Sequence, residues 1–237
     1  MEDVSKYCYD NGTLINKFGI MDKRELERIE RETTIFKITN LVKGMRAYIN
    51  EENISNKELG DFVSSLYKRL FSVDGYLLIH KYLFGNIYDF AGEIRDEAIY
   101  KSNEPYYHNV TPFCYPSEIF YNLNGNLRDM SDYCGRLRSR EDLLFFISKY
   151  YGEINVIHPF REGNGRALRT FMVLIVDYLS NINPNLNYEL QYSLWTKENR
   201  EELLKATIDC SLKCDYSGIM ECFDKVLVSK DKKKKSR

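Results

Sequence analysis

Two stretches of helical apolar periodicity, 141–157 and 166–179, are separated by one short break. Any fold of this chain must therefore deliver the residues of that break from between two helices. The break and the turn after it read His-Pro-Phe-Arg-Glu-Gly-Asn-Gly-Arg-Ala-Leu-Arg, residues 158–169. Leu144, Ile147, Tyr151 and Ile154 recur at helical spacing, so His158 falls at the end of the first helix, rigid yet reachable. Gly163-Asn164-Gly165 can turn successive N–H groups toward one anion. Arg166 is then expected to open the second helix, whose free N–H donors and positive dipole end suit phosphate.

These residue types assemble a chemistry. Neutral imidazole accepts a proton from a hydroxyl near neutral pH, which makes His158 the candidate general base. Glu162 is placed to hold a Mg²⁺ that retains several waters and bridges phosphate oxygens. Arg166 and Arg169, three residues apart, share a helix face and can grip two phosphates. Phe160 reads as a core anchor that fixes the loop. A lone histidine is more often a core residue, and Gly-Asn-Gly is more often a plain turn. The ordered set within one short segment favours a site that handles a nucleotide triphosphate.

The rest of the chain reads as helical and fits one substantial domain. Asp22 and Glu25 make a capping box before Leu26, Ile29 and Phe36. Leu59, Phe62, Val63, Leu66 and Leu70 form an apolar face. Asp74 is expected to cap the next helix, where His80 shares a face with Leu77 and Phe84 and reads as a satisfied core histidine. Pro116 sits where a first turn tolerates proline, ahead of Ile119, Leu123 and Leu127. Thr196 and Ser217 are expected to cap two final helices.

Six cysteines lack paired short spacing and no signal peptide precedes them, so a reducing compartment and small buried thiols are expected. No apolar run approaches the ~20 residues of a membrane span. The net charge of −1 conceals a division: residues 230–237 carry +5, which leaves −6 on the remainder. The run of like charge at 228–237 is expected to be a solvated, disordered tail, and nucleic acid is not the expected partner.

The segment His158 to Arg169 resembles the signature of the Fic family, H-x-F-x-[D/E]-G-N-G-R-x-x-R, at every specified position. Tyr-Gly-Glu-Ile-Asn at 151–155, Phe-Ala-Gly-Glu-Ile-Arg at 90–95 with His80 and Phe84, and Lys-Phe-Gly-Ile at 17–20 extend the likeness. The resemblance implies a mainly α helical bundle of the Fic type with a small β-hairpin flap beside the active site. It would span residues 1–227, including an N-terminal helical extension.

It also implies protein adenylylation: transfer of AMP from ATP to a target hydroxyl with release of pyrophosphate. His158 would deprotonate that hydroxyl, and Glu162 would hold Mg²⁺ on the α- and β-phosphates. Gly163, Asn164 and Gly165 would line an anion hole, and Arg166 and Arg169 would bind the β- and γ-phosphates.

Residues 95–115 break the helical pattern and match the family's flap, which docks a target segment by strand addition. Lys101 is assigned to the nucleotide site from that flap, against the reading of an ordinary surface lysine. Family members are commonly inhibited by a helix bearing [S/T]-x-x-x-E-[G/N]. Ser217 to Glu221 is the nearest match, with Cys222 where Gly or Asn is expected. The alternatives are a small antitoxin-like partner or no such inhibitor. An enzyme of the bacterial cytoplasm or, after delivery, of a host's is expected. A metal-dependent phosphodiesterase that removes AMP, and a non-catalytic helical binding module, stand as the other readings.

Overall fold

The computed structural model describes residues 5–230. Its helices, in chain order, are α1 (Lys23–Ile49), α2 (Lys57–Lys68), α3 (Val73–Phe84), α4 (Pro116–Tyr133), α5 (Arg140–Ile157), α6 (Asn164–Ile182), α7 (Lys197–Lys213) and α8 (Ser217–Asp224). Two antiparallel strand pairs complete it: β1 (Tyr100–Ser102) with β2 (Val110–Pro112), and β3 (Tyr188–Leu190) with β4 (Leu227–Ser229). The mainly helical bundle with a small β-hairpin is the expected class.

Helix α6 organises the bundle. From Ala167 to Leu179 it is buried at almost every position, including Phe171, Met172, Val173, Leu174, Ile175 and Val176. A helix that is apolar all round must be enclosed by others, and α1, α3, α5 and β3 surround this one. Each large apolar side chain so enclosed contributes about 2 kcal/mol relative to exposure. The single acid in this stretch, Asp177, is 1% exposed; Arg46 of α1 meets it at 2.8 Å and Lys230 at 3.6 Å. Burial still pushes the Asp177 carboxyl upward, against the pull of Arg46.

Helix boundaries follow from local caps. Asp22 accepts the Glu25 N–H, one half of the expected capping box, while Pro116 occupies the first turn of α4 and Thr196 accepts the Asn199 N–H, as the sequence predicts. Ser139 and Asp142 form a full capping box on α5. Two caps differ from expectation. Ser72, not Asp74, caps α3, because its hydroxyl reaches the Gly75 N–H at 3.1 Å. Ser217 lies inside α8 rather than before it, since the Asp215 carboxylate takes both its N–H and its hydroxyl.

The expected tail boundary at 228 also moves. Val228 and Ser229 pair with β3 in register Glu189↔Val228 and Tyr188↔Ser229, and Lys230 donates its N–H to Asn187. Residues 231–237 lie outside the described residues. Of the cysteines, Cys134, Cys210 and Cys222 are buried as expected, whereas Cys214 is exposed and Cys8 and Cys114 are half-buried. Among the described residues no helix is long and apolar enough to cross a membrane.

Candidate active site

The α5–α6 junction presents its chemistry through backbone geometry. His158 is the C-cap of α5 and adopts the left-handed conformation, φ 48°, which turns the chain abruptly out of the helix. Its ring stacks on Phe113 from the flap, with centroids 3.7 Å apart. Nδ1 lies 3.0 Å from the Asn155 carbonyl oxygen. A carbonyl only accepts, so Nδ1 carries the proton and Nε2 keeps its lone pair. His158 lines a cavity of about 330 Å³ together with Lys101, Glu162, Gly163, Asn164, Gly165 and Arg169. Burial pushes the imidazole down to about 4, so it is neutral at pH 7.

The loop is held from below. Asn164 spends its side chain on Phe160, accepting the N–H at 2.9 Å and donating to the carbonyl at 2.7 Å. Phe160 is fully buried and stacks on His80 at 3.7 Å. His80 accepts the Gly92 N–H at Nδ1, so Nε2 must donate to the Glu162 carbonyl 2.8 Å away. His80 is thus the satisfied core histidine expected, and it also fixes the backbone of Glu162. Gly163 has φ +83°, and a Cβ there would lie 2.4 Å from the Phe84 ring. Only glycine fits.

Helix α6 begins at Asn164, two residues earlier than the sequence predicts. The N–H groups of Asn164 and Gly165 are therefore first-turn donors with no acceptor inside the helix, and both residues line the cavity. The Glu162 carboxylate accepts the Gly163 N–H at 2.8 Å and stands 3.5 Å from Arg166. Arg169 faces the Tyr151 and Tyr192 hydroxyls, and its Nε is buried without a partner. Lys101 is exposed on β1, yet its ammonium end is crowded enough that burial lowers its pKa. Glu162 opposes that shift and Arg169 adds to it, which places all three within electrostatic reach.

The structure adds residues that the sequence reading passed over. Glu30 of α1 is buried and ion-paired to Arg166, and it also accepts from the Tyr88 hydroxyl. Arg161 and Arg200 line both the cavity and a larger neighbouring cleft of about 1220 Å³ that shares Glu162 and Arg169. Arg161 lies in the signature itself and was legible as a further cation. Arg200 carried no local signal. Glu221 lines a separate groove between α7 and α8, and among the described residues no ion pair joins it to Arg169. Among the described residues no group of three or more His, Cys, Asp or Glu is gathered for a metal; Glu162 is half-exposed beside the first turn of α6, and the nearby Glu30 is engaged by Arg166. That set suits Mg²⁺, which takes one protein carboxylate and completes its shell with waters and phosphate oxygens.

Residues 70–176 match the model of the Fic/DOC family. The chain is 29% identical over 205 residues to protein adenylyltransferase VbhT of Bartonella schoenbuchensis, covering 84% of this chain and 34% of that protein. It is 38% identical over 95 residues to the probable protein adenylyltransferase Fic of Escherichia coli, covering 39% of this chain and 44% of that one. The chain thus spans between about a third and a half of the length of these relatives. In fold it is similar to the BepC protein of Bartonella tribocorum with bound AMPPNP: TM-score 0.66, 20% identity, 94% of this chain and 97% of that one. It is likewise similar to an ADP-bound Fic domain from Bartonella quintana: TM-score 0.67, 22% identity, 94% of each chain.

Proposed function

We propose that this chain, which carries a Fic/DOC-family domain over residues 70–176, is a protein adenylyltransferase that moves AMP from ATP onto a hydroxyl of a target protein in the bacterial cytoplasm. The observation that carries this reading is the juxtaposition at the α5–α6 junction. A base with its lone pair on Nε2 lines one cavity with the first-turn residues Asn164 and Gly165 of α6 and with Arg169, whose Nε is buried without a partner.

The steps follow from that arrangement. His158 Nε2 takes the proton of the target hydroxyl as its oxygen attacks the α-phosphorus. The bond from that phosphorus to the bridging oxygen breaks, and pyrophosphate leaves with the electron pair. The Asn164 and Gly165 N–H groups stabilise charge on the α-phosphate, and Arg169 holds the outer phosphates. Glu162 would hold Mg²⁺, which supplies charge neutralisation at the phosphates. Lys101 adds a cation from the flap. Strand β1, exposed at each of its three residues, supports docking of an extended target segment by strand addition. Pairing of Arg166 with Glu30 supports a narrower role for Arg166, which must exchange partners before it can grip a phosphate. A small antitoxin-like protein is the favoured inhibitor, given the position of Glu221 away from Arg169.

The test is incubation of the chain with labelled ATP, Mg²⁺ and a cell lysate, beside His158→Ala. New labelled protein bands that vanish with His158→Ala and with chelation are expected. Absence of labelling by the folded wild type, or equal labelling by the variant, overturns the reading.

A further inference from the structure

Arg95 occupies an unusual place. It is 2% exposed, and among the described residues it makes no ion pair with any carboxylate. A buried charge without a counter-ion is tolerated only when hydrogen bonds replace its hydration. Here the replacements are all backbone carbonyls, drawn from three separate segments. Nε donates to His158 at 2.8 Å, Nη1 to Glu97 at 2.6 Å, and Nη2 to Cys114 at 2.5 Å. Nη2 also lies 3.5 Å from the Ile157 carbonyl. The backbone takes part too, with the Arg95 N–H on Pro159 and the Cys114 N–H on Val156.

Two of these carbonyls belong to the end of α5, where the last C=O groups lack partners within the helix. Helices that end in the left-handed conformation usually place glycine there, because a side chain disfavours positive φ. This helix ends instead in His158, at φ 48°, and Arg95 grips the carbonyl of that residue. The other two carbonyls, Glu97 and Cys114, lie at the two roots of the flap, before β1 and after β2. The ring of His158 in turn packs on Phe113, the neighbour of Cys114.

We infer that Arg95 is a positioning residue that sets His158 and both roots of the flap in one register, so that base and target-docking strand are aligned by one guanidinium. The planar fork is essential to this, since three divergent carbonyls cannot be spanned by the single point of an ammonium. The inference rests on the transferase reading only for its kinetic consequence. Its structural claim, a fixed His158 tautomer and a fixed flap, stands independently.

The experiment compares the full chain with Arg95→Ala and Arg95→Lys. Nitrogen-15 NMR of the imidazoles should show one fixed tautomer for His158, protonated at Nδ1, in the wild type. Both variants should show averaging of the tautomers and faster amide exchange at β1 and β2. In labelled-ATP assays, kcat should fall about a hundredfold in each while ATP affinity stays within about twofold, the mark of a group that aligns the reacting atoms. Millimolar guanidinium, far below denaturing levels, should restore kcat at least tenfold and the single tautomer in Arg95→Ala, and neither in Arg95→Lys.

A fixed Nδ1–H tautomer in both variants overturns the inference, as does wild-type kcat in either. Loss of ATP binding in step with kcat without guanidinium rescue overturns it too, as does failure of both variants to fold, since Arg95 would then be a plain structural residue. If the wild type transfers no AMP, the transferase reading fails while the NMR arm still decides the role of Arg95.

Discussion

Gly163 shows how tightly single residues are held at this site. A methyl group there meets the Phe84 ring at 2.4 Å while the backbone sits at φ +83°, so Gly163→Ala combines a clash with strain. We expect it to cost about 2–4 kcal/mol of stability and to weaken ATP binding. Adding Phe84→Ala should return part of the nucleotide affinity by removing the clash, which a double-mutant cycle with urea melts and ATP titration will read. His158 offers a second test. Burial lowers its pKa to about 4, the Asn155 hydrogen bond opposes that shift, and Lys101 and Arg95 add to it. The base is active when neutral, so the acid limb of kcat/KM for the free enzyme should lie well below the ordinary 6.5. Lys101→Met removes one of the cations that disfavour the imidazolium and should move that limb upward. A limb at 6.5 in both proteins would contradict the environment described for His158.

Among the elements, the flap depends on a buried amide. Asn103 is fully buried, accepts from the Thr111 hydroxyl at 3.0 Å and donates to the Asn109 side chain at 2.7 Å. It closes a hairpin of only three paired residues per strand, with Lys101↔Thr111 at its centre. Asn103→Ala leaves those partners unsatisfied, at roughly 1–3 kcal/mol. The expected result is faster hydrogen exchange in β1 and β2 and a raised KM for the target. Helix α8 makes the opposite prediction. Glu221 lines a groove between α7 and α8 and forms no ion pair with Arg169, so Glu221→Gly should change labelling less than tenfold and lower helix stability by about 1 kcal/mol. A gain of tenfold or more at equal folded concentration would establish Glu221 as a built-in inhibitor.

For the molecule as a whole, stability is tied to pH through the histidine at its centre. His80 is fully buried, and burial lowers its pKa to about 4 against the raising effect of its bond to the Glu162 carbonyl. The folded state binds its proton less readily than the unfolded chain does. The stability this group permits is therefore complete above the unfolded pKa near 6.5 and is lost as pH falls toward 4, up to roughly 3 kcal/mol. Urea melts between pH 7 and 4 should show that slope, to which the equally lowered His158 adds its own share, so His80→Gln should remove about half of it; an unchanged slope would locate the acid sensitivity elsewhere. The same histidine marks the division between what local sequence decides and what tertiary structure decides. Periodicity and caps along the chain specified most helices, because both act within one or two turns. The His158–Arg169 segment was legible because its residue types and their spacing lie within one short stretch, although His80, Phe113 and Arg95 from elsewhere in the fold hold it in shape. The strands β3 and β4 were not legible, since three residues are too few to show a period of two. Nor was the pairing of Glu30 with Arg166 across 136 residues, or of Arg95 with His158 across 63. Which buried charge meets which carbonyl or guanidinium is decided only when packing removes water from both, and no local pattern records that choice.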